Sequence, residues 1–160
     1  MSSTSAFNAR TDAVIRPLSQ DDLTAVLEIE RLGYSYPWTE AVFLDCFRAD
    51  YRLWALTQAG VVVGYAVVAY LVDEAHLLNL CVTPSWRQQG GATQLLAHVC
   101  ARSHEDGMRQ VLLEVRESND SARRLYRRAG FSAIGRRPDY YPGAGRREAA
   151  EVMSLSLVSP

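Results

Sequence analysis

The chain has 160 residues, 48% apolar and 22% charged, enough for one ordinary domain with a sizeable core and too few for two comfortable ones. A net charge of −1 gives no push toward nucleic acid. No apolar run approaches the ~18 residues of a membrane span, so neither direct DNA binding nor membrane insertion is expected.

In chain order, Met1 to Arg10 is rich in Ser, Thr and Ala and lacks the apolar segment of a secretory signal. Residues 1–13 read as a flexible leader to a single domain, 14–158. Val14-Ile15-Arg16-Pro17 is a short first strand. Ser19, with Asp22 three positions on, opens a helix running to about Leu32, which Gly33 ends. The aromatic loop Tyr34-Ser35-Tyr36-Pro37-Trp38 follows, and Thr39 caps a second helix carrying Val42, Phe43, Cys46 and Phe47 on one side. Tyr51 to Thr57 and Val61 to Val72 form a hairpin across Gln58-Ala59-Gly60. Asp73-Glu74 turns into a strand, Ala75 to Val82, closed by Pro84. Gly90 and Gly91 precede a helix with Leu95, Leu96, Val99 and Cys100 on one side, stopped at Asp106-Gly107. Val111 to Val115 is a strand, Asn119 caps a helix from Asp120 to Ala129, and Phe131 to Arg136 is a strand. A loop, Pro138 to Gly145, leads to a last strand, Ala149 to Leu157. This order predicts an α/β fold: a mixed, mostly antiparallel sheet of about seven strands flanked by about four helices.

Charge and cysteine usage add two observations. Residues 1–86 carry 5 Arg against 10 Asp/Glu, residues 87–160 carry 12 Arg against 8, and Lys is absent. A basic second half suits a phosphorylated cofactor and an acidic first half a cationic substrate; solvated faces that segregate by chance leave the same pattern. Cys46, Cys81 and Cys100 form no CxxC pair, which reads as reduced, structural thiols in a cytoplasmic protein. The three histidines have no ligand spacing, so no metal is implied; His76 reads as strand-packed, His98 and His104 as helix surface.

The chemistry centres on Leu80-Cys81-Val82-Thr83-Pro84-Ser85-Trp86-Arg87-Gln88-Gln89-Gly90-Gly91-Ala92-Thr93, a strand feeding a glycine turn that opens a helix. Helix N-termini expose unpaired N–H groups and partial positive charge, so phosphates bind there, and small residues let them approach the backbone. Arg87 adds a full charge. The segment is neither a P-loop nor a GxGxxG, and in isolation a plain turn fits as well. The second block runs from Glu114 to Phe131. Glu114 interrupts an apolar strand on the face opposite Val111, Leu113 and Val115, where a carboxylate meets either a polar site or an arginine. Asn119 and Tyr126 lie two helical turns apart, able to meet one ligand, although capping and core packing explain them equally. Arg123, Arg124, Arg127 and Arg128 read as a solvated face, or as a cluster that flanks a ligand phosphate or contacts RNA.

Arg87-x-x-Gly90-x-Ala92 resembles the pyrophosphate-binding signature of the GNAT superfamily of N-acetyltransferases, and the resemblance extends from about Val14 to Leu157. It implies an enzyme that uses acetyl-CoA as cosubstrate, bound by Leu80, Cys81, Val82, Arg87, Gln88, Gln89, Gly90, Gly91, Ala92, Thr93 and Asn119. Tyr36-Pro37-Trp38, Asp73-Glu74-Ala75-His76-Leu77, Leu113-Glu114-Val115-Arg116, Ser118-Asn119, Ala129-Gly130-Phe131 and Arg137 with Tyr140-Tyr141-Pro142 resemble the ribosomal-protein alanine acetyltransferases within it. That resemblance implies Glu114 as general base, Tyr126 as general acid, and a substrate site of Tyr36, Trp38, Arg137, Tyr140 and Tyr141. The implied substrate is the N-terminal alanine of small-subunit ribosomal protein 18, and a tRNA-modifying protein is a candidate partner. Two features depart from the pattern: a longer leader, and Pro138-Asp139 between Arg137 and Tyr140.

Overall fold

The structure, a computed structural model, describes residues 13–87 and 89–158. Nearly all of the leader, and Gln88 in the glycine turn, lie outside the described residues. The strands are β1 Val14–Pro17, β2 Tyr51–Gln58, β3 Val61–Leu71, β4 Glu74–Val82, β5 Gln110–Arg116, β6 Ser132–Tyr141 and β7 Glu148–Ser156. The helices are α1 Leu23–Gly33, α2 Glu40–Leu44, α3 Gly91–Glu105 and α4 Asp120–Arg128, with short 3-10 turns at Gln20–Asp22 and Pro84–Trp86. The strands form one sheet in the order β1-β2-β3-β4-β5-β7-β6. β4 and β5 run parallel; β1–β2, β5–β7 and β6–β7 are antiparallel, giving the mixed α/β fold expected. By contact density the chain divides into two compact units, residues up to 67 with 79–98, and 68–78 with 99 onward.

The first unit is built on short-range signals that the sequence displays. Ala59 at φ 51° and Gly60 at φ 80° form the two-residue β2–β3 turn, whose left-handed residues match the twist of the strands. The Asp22 carboxylate accepts the Ser19 N–H at 2.8 Å and a two-pronged bond from Arg16 of β1, both at 2.8 Å. α1 buries Leu23, Val26 and Ile29 in a core with Phe43, Cys46, Leu53, Ala55, Tyr65 and Val67. The second helix is shorter than expected. Thr39 Oγ1 accepts the Val42 N–H at 3.4 Å, but the helix ends at Leu44, and Cys46 and Phe47 reach the core from the turn beyond it. His98 is not a plain surface residue: its ring meets the Trp54 ring edge-on at 4.4 Å.

In the second unit β5 alternates strictly, with Val111, Leu113 and Val115 buried and the residues between them half-buried. β7 pairs with β5 from Gln110↔Ser156 to Arg116↔Ala150 and buries Ala149, Ala150 and Met153. β6 runs through Tyr141, so the segment from Pro138 belongs to a strand and not to a loop. The physical reason is its position. β6 is the edge strand, where proline's missing N–H withdraws no ladder bond from a second neighbour. A register shift between Arg137 and Tyr141, with Asp139 at φ 51°, absorbs the irregularity.

Candidate active site

In the first unit the strand-turn-helix segment takes the form that the sequence suggested. Thr83 N–H bonds to the Val63 carbonyl at 2.8 Å, and Pro84 starts a 3-10 turn that buries Trp86 and leaves Arg87 exposed. Gly90 sits at φ 83°, a conformation that strains any residue with a Cβ. Gly91 is close-packed: a Cβ there would meet Leu56 and Val82 at 3.3 Å and Trp86 at 3.4 Å. The i→i−4 bond from Gln94 N–H to the Gly90 carbonyl is 2.9 Å long, and the N–H groups of Gly91, Ala92 and Thr93 precede it in the first turn of a 15-residue helix. A bare turn before those N–H groups, with Arg87 adjacent, fits a pyrophosphate. Gln89 and Thr93 are exposed beside it.

Of the strand residues assigned to the cosubstrate, Leu80 is half-buried, and its carbonyl accepts the Tyr34 hydroxyl at 2.8 Å. Cys81 and Val82 are buried. The ladder with β5 covers Glu74↔Gln110 to Leu77↔Leu113 and stops there, before Leu80 and before Glu114. Burial, and secondarily Glu30, push the Cys81 thiol up to about 11. A thiol so far from ionisation is a poor nucleophile at neutral pH.

In the second unit side chains of β6 reach over β7 to Glu114 of β5. Arg137 of β6 reaches across β7 to bring its Nε to 3.6 Å from Glu114 Oε1. The same carboxyl, beside the Tyr140 phenol, is the first cause that raises the Tyr140 pKa. Burial, then Glu114, pushes the Tyr141 phenol up to about 12. The Tyr140 and Tyr141 rings meet edge-on at 4.9 Å, with Arg137 over the Tyr140 ring at 5.6 Å and Arg116 over the Tyr141 ring at 4.6 Å. Arg116 is tied to Glu148 at 3.1 Å and to the Pro142 carbonyl at 2.8 Å, so it fastens the end of the tyrosine strand to β5. Sequence reasoning named Arg116 only within a motif, with no role of its own, and did not single out Glu148. Their partners are 26 and 32 residues away along the chain.

Asn119 does cap α4: its Oδ1 accepts the Ala122 N–H at 3.2 Å. Tyr126 is buried on α4 with its ring 5.8 Å from Phe131. The arginine face of α4 is partly neutralised. Arg123 and Arg127 both reach Glu151, at 2.9 and 3.4 Å, while Arg124 and Arg128 are exposed. Tyr36 and Trp38 belong to the first unit, Tyr36 48% exposed and Trp38 half-buried against Phe43.

A glycine turn opening a helix after β4, on a seven-stranded mixed sheet, is the architecture of the acyl-CoA-dependent N-acetyltransferases. Residues 21–131 match the Acetyltransferase (GNAT) family, and the chain belongs to it: this is an acetyl-CoA-dependent N-acetyltransferase. The chain is 35% identical over 143 residues to the [Ribosomal protein bS18]-alanine N-acetyltransferase of Escherichia coli (strain K12), 89% of this chain and 97% of that protein. It is 34% identical over 145 residues to the protein of the same description from Haemophilus ducreyi, 90% of this chain and 100% of that protein. Among solved structures, the ribosomal-protein-S18-alanine N-acetyltransferase of Escherichia coli superposes with a TM-score of 0.87 at 34% identity, covering 92% of this chain and 96% of that one. Ard1 from Thermoplasma volcanium does so with a TM-score of 0.84 at 29% identity, over 92% and 99%.

Proposed function

We propose that this enzyme acetylates a protein N-terminal α-amine, that of the alanine beginning ribosomal protein bS18. The observation that carries the reading is the carboxyl of Glu114 set among Arg137 and Tyr140, in a chain 35% identical to an enzyme named for that reaction. Acetyl-CoA supplies the acetyl thioester. Gly90, Gly91, Ala92 and Thr93 hold its pyrophosphate through backbone N–H groups, with Arg87 and Gln89 at the rim. Leu80, Cys81 and Val82 line its arm, and Asn119 meets it from the start of α4. Glu114 takes the proton from the substrate ammonium, freeing the lone pair for attack. Tyr126, its ring fixed against Phe131, gives its hydroxyl proton to the departing sulfur. Tyr36, Trp38, Arg137, Tyr140 and Tyr141 receive the peptide. The tyrosine phenols, both raised, stay protonated and donate hydrogen bonds.

Among the described residues no helix is long and apolar enough to cross a membrane, and Cys46, Cys81 and Cys100 are free, in keeping with work in a reducing cytoplasm. A tRNA-modifying protein is part of the proposal as a partner, to be tested by co-purification. Mass spectrometry of bS18 from cells lacking this gene tests the substrate. Loss of the N-terminal acetyl group is expected, and an unchanged acetylated alanine sinks the assignment. A panel of peptides with other N-termini and with lysine then identifies what the enzyme prefers.

A further inference from the structure

Helix α1 carries one acid where its apolar stripe should continue. Leu23, Val26 and Glu30 lie at helical spacing on the buried side, and Glu30 is only 2% exposed. Its carboxyl gathers three neutral donors. The Trp38 N–H bonds to Oε2 at 2.8 Å, the Asn79 side-chain amide to Oε1 at 2.8 Å, and the Tyr65 hydroxyl also to Oε1. These donors come from the aromatic loop, from β4 and from β3. Burial, then Cys81 and Glu30, raise the Tyr65 phenol far above its ordinary range, so it stays a donor.

A second path joins the same residues. The Trp38 ring packs on Phe43 at 5.2 Å, and Phe43 packs edge-on to Tyr65 at 5.7 Å. Trp38 is therefore held at its backbone through Glu30 and at its ring through Phe43, and both holds end on Tyr65. The loop's other end is fastened as well, by the Tyr34 hydroxyl on the Leu80 carbonyl at 2.8 Å. Between these two fastenings Ser35, Tyr36 and Pro37 are exposed. A loop pinned at both ends with its middle presented to solvent is preorganised, and preorganisation lowers the entropy lost on binding.

We infer that Glu30 is a positioning residue that holds the Tyr34–Trp38 loop in its peptide-receiving form, setting affinity for the substrate N-terminus without touching it. The inference rests on the reading that Tyr36 and Trp38 wall the peptide site. Glu30→Leu keeps the bulk and removes both acceptor oxygens. Glu30→Gln keeps one oxygen for the Trp38 N–H, while its amide can donate to the Tyr65 hydroxyl and to a turned-over Asn79. The probe is a peptide with the N-terminal sequence of bS18. Glu30→Leu should raise its KM about tenfold, a loss on the scale of one or two hydrogen bonds, with the acetyl-CoA KM changed less than about threefold. Glu30→Gln should restore most of the difference. Amide exchange across residues 34–38 should quicken in Glu30→Leu and not in Glu30→Gln. A purely structural acid would lower the active fraction and leave peptide KM alone, and that result overturns the inference. If Glu30→Leu does not fold, Tyr65→Phe carries the test, and unchanged exchange with unchanged peptide KM overturns it. Trp38→Ala separates the two claims. An unchanged peptide KM there removes the peptide-site reading and the inference with it. A raised KM in Trp38→Ala with none in the Glu30 variants removes the inference alone.

Discussion

Glu114 and Tyr126 carry the proton transfers in this reading, and each is held by a different kind of contact. Glu114 is half-buried and faces Arg137 and Tyr140, so its polar surroundings survive the loss of one oxygen's charge. Tyr126 is buried on Phe131, and removing its hydroxyl leaves the ring packing in place. Glu114→Gln and Tyr126→Phe should therefore fold normally and bind acetyl-CoA. Each should lose roughly ten- to ten-thousandfold in kcat, the range of a lost proton transfer. Steady-state kinetics beside a binding isotherm checks this. Full turnover in both variants removes the two roles. Cys81 supplies a contrast: a thiol held up at about 11 is ill suited to form an acyl-enzyme, which agrees with direct attack by the amine.

The join between β1 and the first helical turn rests on one ion pair. Arg16 and Asp22 make a two-pronged contact in which Asp22 is largely covered and Arg16 partly so. Arg16's hydrogen bonds are the main cause that holds the Asp22 carboxyl at about 2, below its ordinary 3.8. A depressed carboxylate stabilises the fold above its unfolded pKa and loses that contribution as pH falls through the folded one. Asp22→Asn should cost on the order of 1–2 kcal/mol at pH 7, the full linkage value reduced because Arg16 is partly solvated. The gap from the parent should shrink below pH 4 and nearly close near pH 2. Urea midpoints of parent and variant across that window provide the check. A gap independent of pH would mean that Asp22 acts by shape and not by charge.

At the scale of the whole molecule, β3 and β4 each contribute residues to both compact units. Breaking either unit therefore disturbs strands the other also uses. Leu56 in the first unit and Met153 in the second are both fully buried. Alanine at either should cost about 2–5 kcal/mol, the usual range for emptying a buried aliphatic site. Both variants should lower the midpoint of a single urea transition measured by circular dichroism. Two separated transitions, each moved by only one variant, would show that the units unfold independently.

Elements with local causes are legible in the residue order alone. Ala59-Gly60, Pro84, Gly90-Gly91, Asn119 and Gly107 punctuate the chain because their backbone preferences act within a few residues, and the strands and helices between them fall where periodicity puts them. The residue types of the glycine turn and of Glu114 are legible there too. Features that depend on residues far apart in the chain emerge only in the fold. The extension of β6 through Pro138 depends on its being an edge strand, and Arg137 meets Glu114 only because β7 lies between their strands. Glu30 is the sharpest case. Its place on an apolar stripe was visible in the helical spacing, but a carboxyl is buried safely only when donors arrive, and those come from Trp38, Tyr65 and Asn79, up to 49 residues away.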